Sequence, residues 1–189
     1  MRMLLALIVM LNFGGLLAFA QNPFPPPPPL IYSAPKDVDI KEFVSEEGKF
    51  KVSFAGAPKV EKNQTSEAIT TNYKIYRQGS NSVVATNDFS IDLESIKDKF
   101  FELVKTNILK NTKAKITEEK EIQIDGKTGK EFVVDYGMTN LRIRILPVGK
   151  RVYEINSDVT NWHIIGEKTK KEFEKETERF FNSFRLIQK

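Results

Sequence analysis

Between Ile116 and Ser157 the chain runs through four stretches in which apolar and polar residues alternate, each parted from the next by a glycine-bearing turn. A period of two puts successive side chains on opposite faces of an extended strand, so these stretches predict an antiparallel meander. The strands are expected near Ile116 to Ile124, Lys130 to Tyr136, Leu141 to Leu146 and Arg151 to Ser157. Their connections are Asp125-Gly126-Lys127-Thr128-Gly129, Gly137-Met138-Thr139-Asn140 and Val148-Gly149-Lys150. A four-residue second loop sets Tyr136 opposite Leu141, Val134 opposite Ile143 and Phe132 opposite Ile145. A three-residue last loop sets Ile145 opposite Tyr153 and Ile143 opposite Ile155. On that register Phe132, Val134, Ile143, Ile145, Tyr153 and Ile155 form one apolar wall. Glu131, Asp135, Arg142, Arg144 and Glu154 share the opposite face, with Val133 as the exception.

The flanking segments supply the rest of an α+β domain, an antiparallel β-sheet with helices packed on it. Phe50, Val52 and Phe54 alternate with Lys51 and Ser53 in a strand that Gly56-Ala57-Pro58 stops. Thr71 to Gln78 and Val83 to Phe89 flank Gly79-Ser80-Asn81-Ser82 as a hairpin. From Glu94 to Lys110 the period changes: Ile96, Phe100, Leu103, Val104 and Ile108 form the stripe of an amphipathic helix, with Asp92 or Ser95 as its cap. A last helix, roughly Glu167 to Phe184, puts Phe173, Thr177, Phe180, Phe181 and Phe184 on one side. It should close the core against the apolar wall.

Ahead of the domain lie two segments of different character. Arg2, the apolar run from Met3 to Phe19 and the small-x-small ending Ala18-Phe19-Ala20 make residues 1–20 a secretory signal peptide. Residues 21–41 contain five consecutive prolines, Pro25 to Pro29, and read as a semi-rigid polyproline spacer. Residues 42–189 form a single domain. The expected address is therefore outside the cytoplasm, periplasmic or secreted, with no membrane association once the signal is cleaved. Loss of Arg2 leaves 28 basic against 25 acidic residues, interleaved along the chain rather than gathered into a phosphate-following stripe, so no nucleic-acid partner is expected. There is no cysteine, so packing alone must stabilise an exported domain of this size.

The chemistry on offer is sparse. With one histidine, His163, and no cysteine, a Cys-His nucleophile pair, a zinc thiolate site and a histidine-rich metal cluster are excluded. His163 reads as a loop residue beside Trp162, because no nucleophile motif accompanies it. Asp88, Asp92, Asp135 and Asp158 are candidate acids for a glycosidase-type pair, but no spacing singles out two of them. No catalytic, cofactor-binding or metal-ligating residue is assigned, and no cofactor is expected. Arg142, Arg144 and Arg151 are the candidate partner-binding residues, suited to an acidic group or a phosphate. The competing account has them paired across strands with Glu131, Asp135 or Glu154, or covered by a helix.

Several segments together resemble a known family. They are Glu47-Gly48-Lys49-Phe50-Lys51-Val52-Ser53-Phe54 with Gly56-Ala57-Pro58, Gly126-Lys127-Thr128-Gly129-Lys130-Glu131-Phe132, Arg142 to Ile145 with Val148 to Tyr153, and Arg179-Phe180-Phe181-Asn182-Ser183-Phe184. Over roughly 42–187 the chain is similar to exported bacterial domains of the PsbP-like superfamily, with Ala55 standing where proline is often found. The resemblance implies an α/β/α sandwich around an antiparallel sheet. It also implies a binding or assembly role, as for the extrinsic photosystem II subunit and a Ran-binding protein, and it carries over no functional residue. The expected function is a noncatalytic module that docks a protein of the cell envelope or a small ligand. The alternatives are a carboxylate- or metal-dependent hydrolase and a structural envelope component.

Overall fold

The computed structural model describes residues 39–66, 68–77, 79–110 and 114–187. The segments expected to be a signal peptide and a spacer lie, up to residue 38, outside these residues. Ten strands and two helices follow in the order β1 (Lys41–Ser45), β2 (Phe50–Phe54), β3 (Lys59–Gln64), β4 (Ala68–Arg77), β5 (Ser80–Phe89), a 3-10 turn (Glu94–Ile96), α1 (Lys97–Leu109), β6 (Lys115–Ile124), β7 (Lys127–Asp135), β8 (Thr139–Val148), β9 (Arg151–Thr160), α2 (Glu167–Ser183) and β10 (Arg185–Leu186). Seven strands pair in the order β3-β4-β5-β9-β8-β7-β6, and β1-β2-β10 form a small second sheet. All the pairings are antiparallel. The outer strands of the large sheet resist further pairing: β3 is short and charged, and β6 bears four consecutive charges and a register shift between Ile116 and Glu118.

The expected α+β class with helices on an antiparallel sheet holds, and most of the elements fall where the periodicity put them. Phe50, Val52 and Phe54 are all buried. The hairpin of β4 and β5 is tighter than expected, since Arg77 pairs with Ser80 and the strands absorb Ser80 to Ser82. Gly79 makes this two-residue connection feasible by adopting φ 81°. Asp92 accepts the Glu94 N–H at 2.9 Å at the entry to α1, whereas the Ser95 hydroxyl donates to the Asp92 carbonyl. Strands β1, β3 and β10 have no counterpart in the sequence reading.

The single apolar wall does not form. In the β7–β8 hairpin Val134 pairs with Leu141 and Phe132 with Ile143, a slip of two residues from the expected register. Two residues is one full side-chain repeat, so the faces survive. In the β8–β9 hairpin the connection is two residues, 149–150, and Leu146 pairs with Tyr153 while Ile143 pairs with Asn156. This slip of one residue sends Tyr153 and Ile155 to the opposite face from Ile143 and Ile145.

The large sheet is consequently a middle layer, buried on both sides. On one side α1 presses Phe100, Phe101, Val104 and Ile108 onto Phe132, Val134, Leu141, Ile143, Ile145 and Val152. On the other, Phe180, Phe181 and Phe184 from the C-terminal helix and its end pack with Phe50, Val52 and Phe54 of the small sheet over Tyr73, Val84, Leu146, Tyr153 and Ile155. The helix expected to press on Phe132 and Ile143 therefore meets only the Tyr153 and Ile155 part of the proposed wall, and α1 takes the rest. The same slip parts Glu154 from Glu131, Arg142 and Arg144, with which it was expected to share a face, and sets it opposite Ile145 on the α1 face.

Candidate functional site

Arg142 and Arg144 alternate on β8 so that both side chains emerge beneath α2. Glu131 on β7 lies directly between Lys120 of β6 and Arg144 of β8 in the cross-strand register. Its carboxylate accepts from Arg142 Nε at 2.8 Å and Arg144 Nε at 2.6 Å, with Lys120 Nζ at 2.9 Å. Only 1% of Glu131 is exposed. Burial pushes its pKa up, but the three cations outweigh burial and hold it down at about 2.

The two arginines also fasten the helix. Arg142 Nη1 reaches Glu178, and Arg144 Nη1 donates to the Phe181 carbonyl at 3.1 Å. Both guanidinium groups stand over the Phe181 ring, at 5.1 and 4.7 Å from its centroid. Arg151 does not join them. It forms two hydrogen bonds to Asp88 on β5, at 2.5 and 2.8 Å, and a third to the Glu47 carbonyl at 3.0 Å. Of the three candidate residues the structure brings two together, and their charge is largely met within the chain.

Beside this cluster an open groove of about 670 Å³ runs between α2 and strands β6 to β9. Val133, Val159, Trp162 and Phe173 supply apolar walls, and Lys120, Lys171 and Glu178 charged ones. Lys170 stands over the Trp162 ring at 5.6 Å. The groove combines hydrogen-bonding hydroxyls, among them Thr117 and Thr177, with both signs of charge. Such a surface can hold an extended polypeptide or a small polar molecule with an apolar part.

The candidate acids do not converge. Asp88 is held by Arg151, and Asp92 accepts the Glu94 N–H. Asp135 accepts from the Gly137 N–H, which with His163 lowers its pKa, and lies 3.3 Å from His163 Nε2. Asp158 accepts from Asn81 Nδ2 at 3.0 Å. Among the described residues no three His, Cys, Asp or Glu side chains are grouped as a metal ion would require.

Sequence reasoning missed a second set of buried polar groups on the α1 face. Glu154, Asn156 and Asp158 follow one another there along β9. Burial raises both carboxyl groups to about 7, each offset only by one asparagine, Asn156 for Glu154 and Asn81 for Asp158. Asn156 Nδ2 donates to Glu154 at 2.6 Å, while Asn156 Oδ1 and Asn107 Nδ2 are buried without a partner. The signal was present as a row of polar residues at spacing two, but it points inward only under the register that the tight β8–β9 turn imposes.

No protein-family model and no curated relative matches the chain. Among solved structures it is similar to cyanobacterial PsbP (CyanoP) from Synechocystis, with a TM-score of 0.53 at 9% identity, over 82% of this chain and 96% of that one. A Bacteroides thetaiotaomicron protein aligns more loosely, with a TM-score of 0.36 at 12% identity, over 79% of this chain and 49% of that one. Two helices on an antiparallel sheet, arranged as in that cyanobacterial protein, make this a PsbP-like α+β fold.

Proposed function

We propose that this chain is a noncatalytic binding or assembly module that takes a protein segment or a small ligand into the groove beside α2. The observation carrying this reading is the groove itself, about 670 Å³ with apolar walls and polar groups of both signs, on a face that Arg142, Arg144 and Glu131 hold rigid. The expected resemblance in fold supports it. Export is part of the proposal and rests on residues 1–20, and the proline-rich segment would hold the domain away from other material. Among the described residues no helix is long and apolar enough to cross a membrane.

A photo-reactive side chain placed at Glu174 or Lys175, both exposed on the groove wall, tests the reading in the native host. The expected result is one defined adduct from these positions and none from Glu102, on the exposed side of α1. Equal labelling from both faces would count against it. Turnover of a glycosidic or phosphoester substrate that disappears on one Asp→Asn change would replace it with the hydrolase reading.

A further inference from the structure

Four of the six large apolar side chains exposed on the described surface, Tyr76, Leu109, Met138 and Ile164, gather at one end of the seven-stranded sheet. Met138 sits in the β7–β8 turn and Ile164 in the β9–α2 loop, 52% and 69% exposed. The Trp162 N–H donates to the Met138 carbonyl at 3.2 Å and ties the two loops together. Tyr76 comes just before the β4–β5 turn, where the Gly79 carbonyl accepts the Thr160 N–H at 2.9 Å. Leu109 ends α1, and the chain re-enters the sheet at Lys115 opposite Asp135, so it belongs to the same end. Core packing does not require protruding apolar side chains on two adjoining loop tips.

Among the described residues most acidic groups around them are paired, Glu172 and Glu174 beside Lys171 being the exceptions. Asp135 is taken up by Gly137 and His163, Glu167 by Lys170, Glu176 by Arg77 and Asp158 by Asn81. Lys110, Lys168 and Lys171 are exposed at this end, and among the described residues none of the three forms an ion pair within 4.0 Å. Lysine is depleted at the centre of protein–protein interfaces, whereas apolar tips ringed by lysine with a nearby tryptophan suit a headgroup region bearing phosphate.

Against the expectation that the processed chain has no membrane association, we propose that this end of the sheet docks on an anionic bilayer surface, with Met138 and Ile164 entering the boundary between headgroups and acyl chains and the surrounding lysines meeting lipid phosphates. The surface adjoins the groove, which shares Trp162 and Lys171 with it, but Met138 and Ile164 lie outside the groove lining, so either reading can fail without the other.

Trp162 is the only tryptophan of the chain, so its emission reports this end and the adjoining groove and is blind to vesicle binding through the apolar N-terminal run. The full chain is titrated with phosphatidylcholine vesicles, with and without phosphatidylglycerol, and with lipids brominated near the carbonyl end of the acyl chain. The expected result is a blue shift and bromine quenching on anionic vesicles, with affinity about tenfold weaker on phosphatidylcholine alone or at high salt. Met138→Ser with Ile164→Ser removes the quenching and leaves the melting midpoint unchanged, because both side chains are exposed. Lys110→Glu with Lys168→Glu, both outside the groove lining, weakens binding by about fivefold or more per lysine. Trp162 emission that stays constant while the chain sediments with anionic vesicles overturns the proposal, as does equal binding to neutral vesicles or full quenching in the double serine variant. A photo-reactive residue at Ile164 that captures one defined protein, with Trp162 indifferent to every vesicle, assigns the surface to a protein partner instead.

Discussion

Replacing Glu131 by glutamine keeps the shape of the side chain and removes the charge that Arg142, Arg144 and Lys120 share. The two arginine side chains are only 17% and 12% exposed, so little water can take over. Breaking a buried pair by removing one partner costs about 3–5 kcal/mol. The depressed pKa leads to a similar figure. The Glu131 pKa is about 2 in the folded chain against an ordinary 4.5, a difference of about 2.5 units or ~3.4 kcal/mol. Because the folded value is depressed, this stabilisation is present above pH 4.5 and is lost as the pH falls toward 2. Urea unfolding followed by circular dichroism should therefore put Glu131→Gln about 3 kcal/mol below the parent at pH 7. The gap should narrow to about 1.5 kcal/mol at pH 3, where the carboxyl is already protonated in the unfolded chain and still ionised in the folded one. A variant within about 1 kcal/mol of the parent at pH 7, or a gap that does not shrink with acid, would refute the account of Glu131 as the anchor of the α2 face.

The buried acids of β9 have the opposite dependence. Glu154 is raised to about 7 by burial, so its favourable contribution is present below pH 4.5 and lost as the pH rises through 7. Glu154→Gln should thus gain up to about 3 kcal/mol at pH 8 and change little at pH 4, read from the same unfolding curves. A chain ending at Thr177 lacks Phe180, Phe181 and Phe184, each buried in the core of the α2 side. At about 3–5 kcal/mol apiece for emptied aromatic sites, the loss approaches the whole stability of a domain, and calorimetry should show no cooperative transition. At Gly129 a Cβ would lie 2.5 Å from the Ile145 carbonyl oxygen. Gly129→Ala should then lower stability by about 1–3 kcal/mol, seen as a lower melting midpoint. If the signal peptide is cleaved as read, N-terminal sequencing of the exported form should begin at Gln21.

The candidate site was legible only in part. Glu131, Arg142 and Arg144 could be placed on one face because they lie in two adjacent strands at even spacing, and an error of two residues in the β7–β8 register left that parity intact. The groove itself was not legible, since it depends on how far α2 stands from β6, β7 and β8. The exposed apolar cluster was equally hidden. Its members lie at positions 76, 109, 138 and 164, and only the common end of the sheet brings them together.

What the amino-acid sequence determined alone was local: where strands alternate, where turns interrupt them, and which side of each helix is apolar. It is the side-chain repeat of two or 3.6 residues that writes this information into short windows. Tertiary structure decided which face each strand of the meander presents. Every residue of β9 from Val152 to Ser157 is buried, because helices cover both faces of the sheet, so burial leaves no one-sided pattern to read. There the register rests on whether two residues or three close the turn at Gly149. That glycine reaches φ 59°, the tight turn forms, and with it Tyr153 goes to α2, Glu154 to α1, and the two cores part.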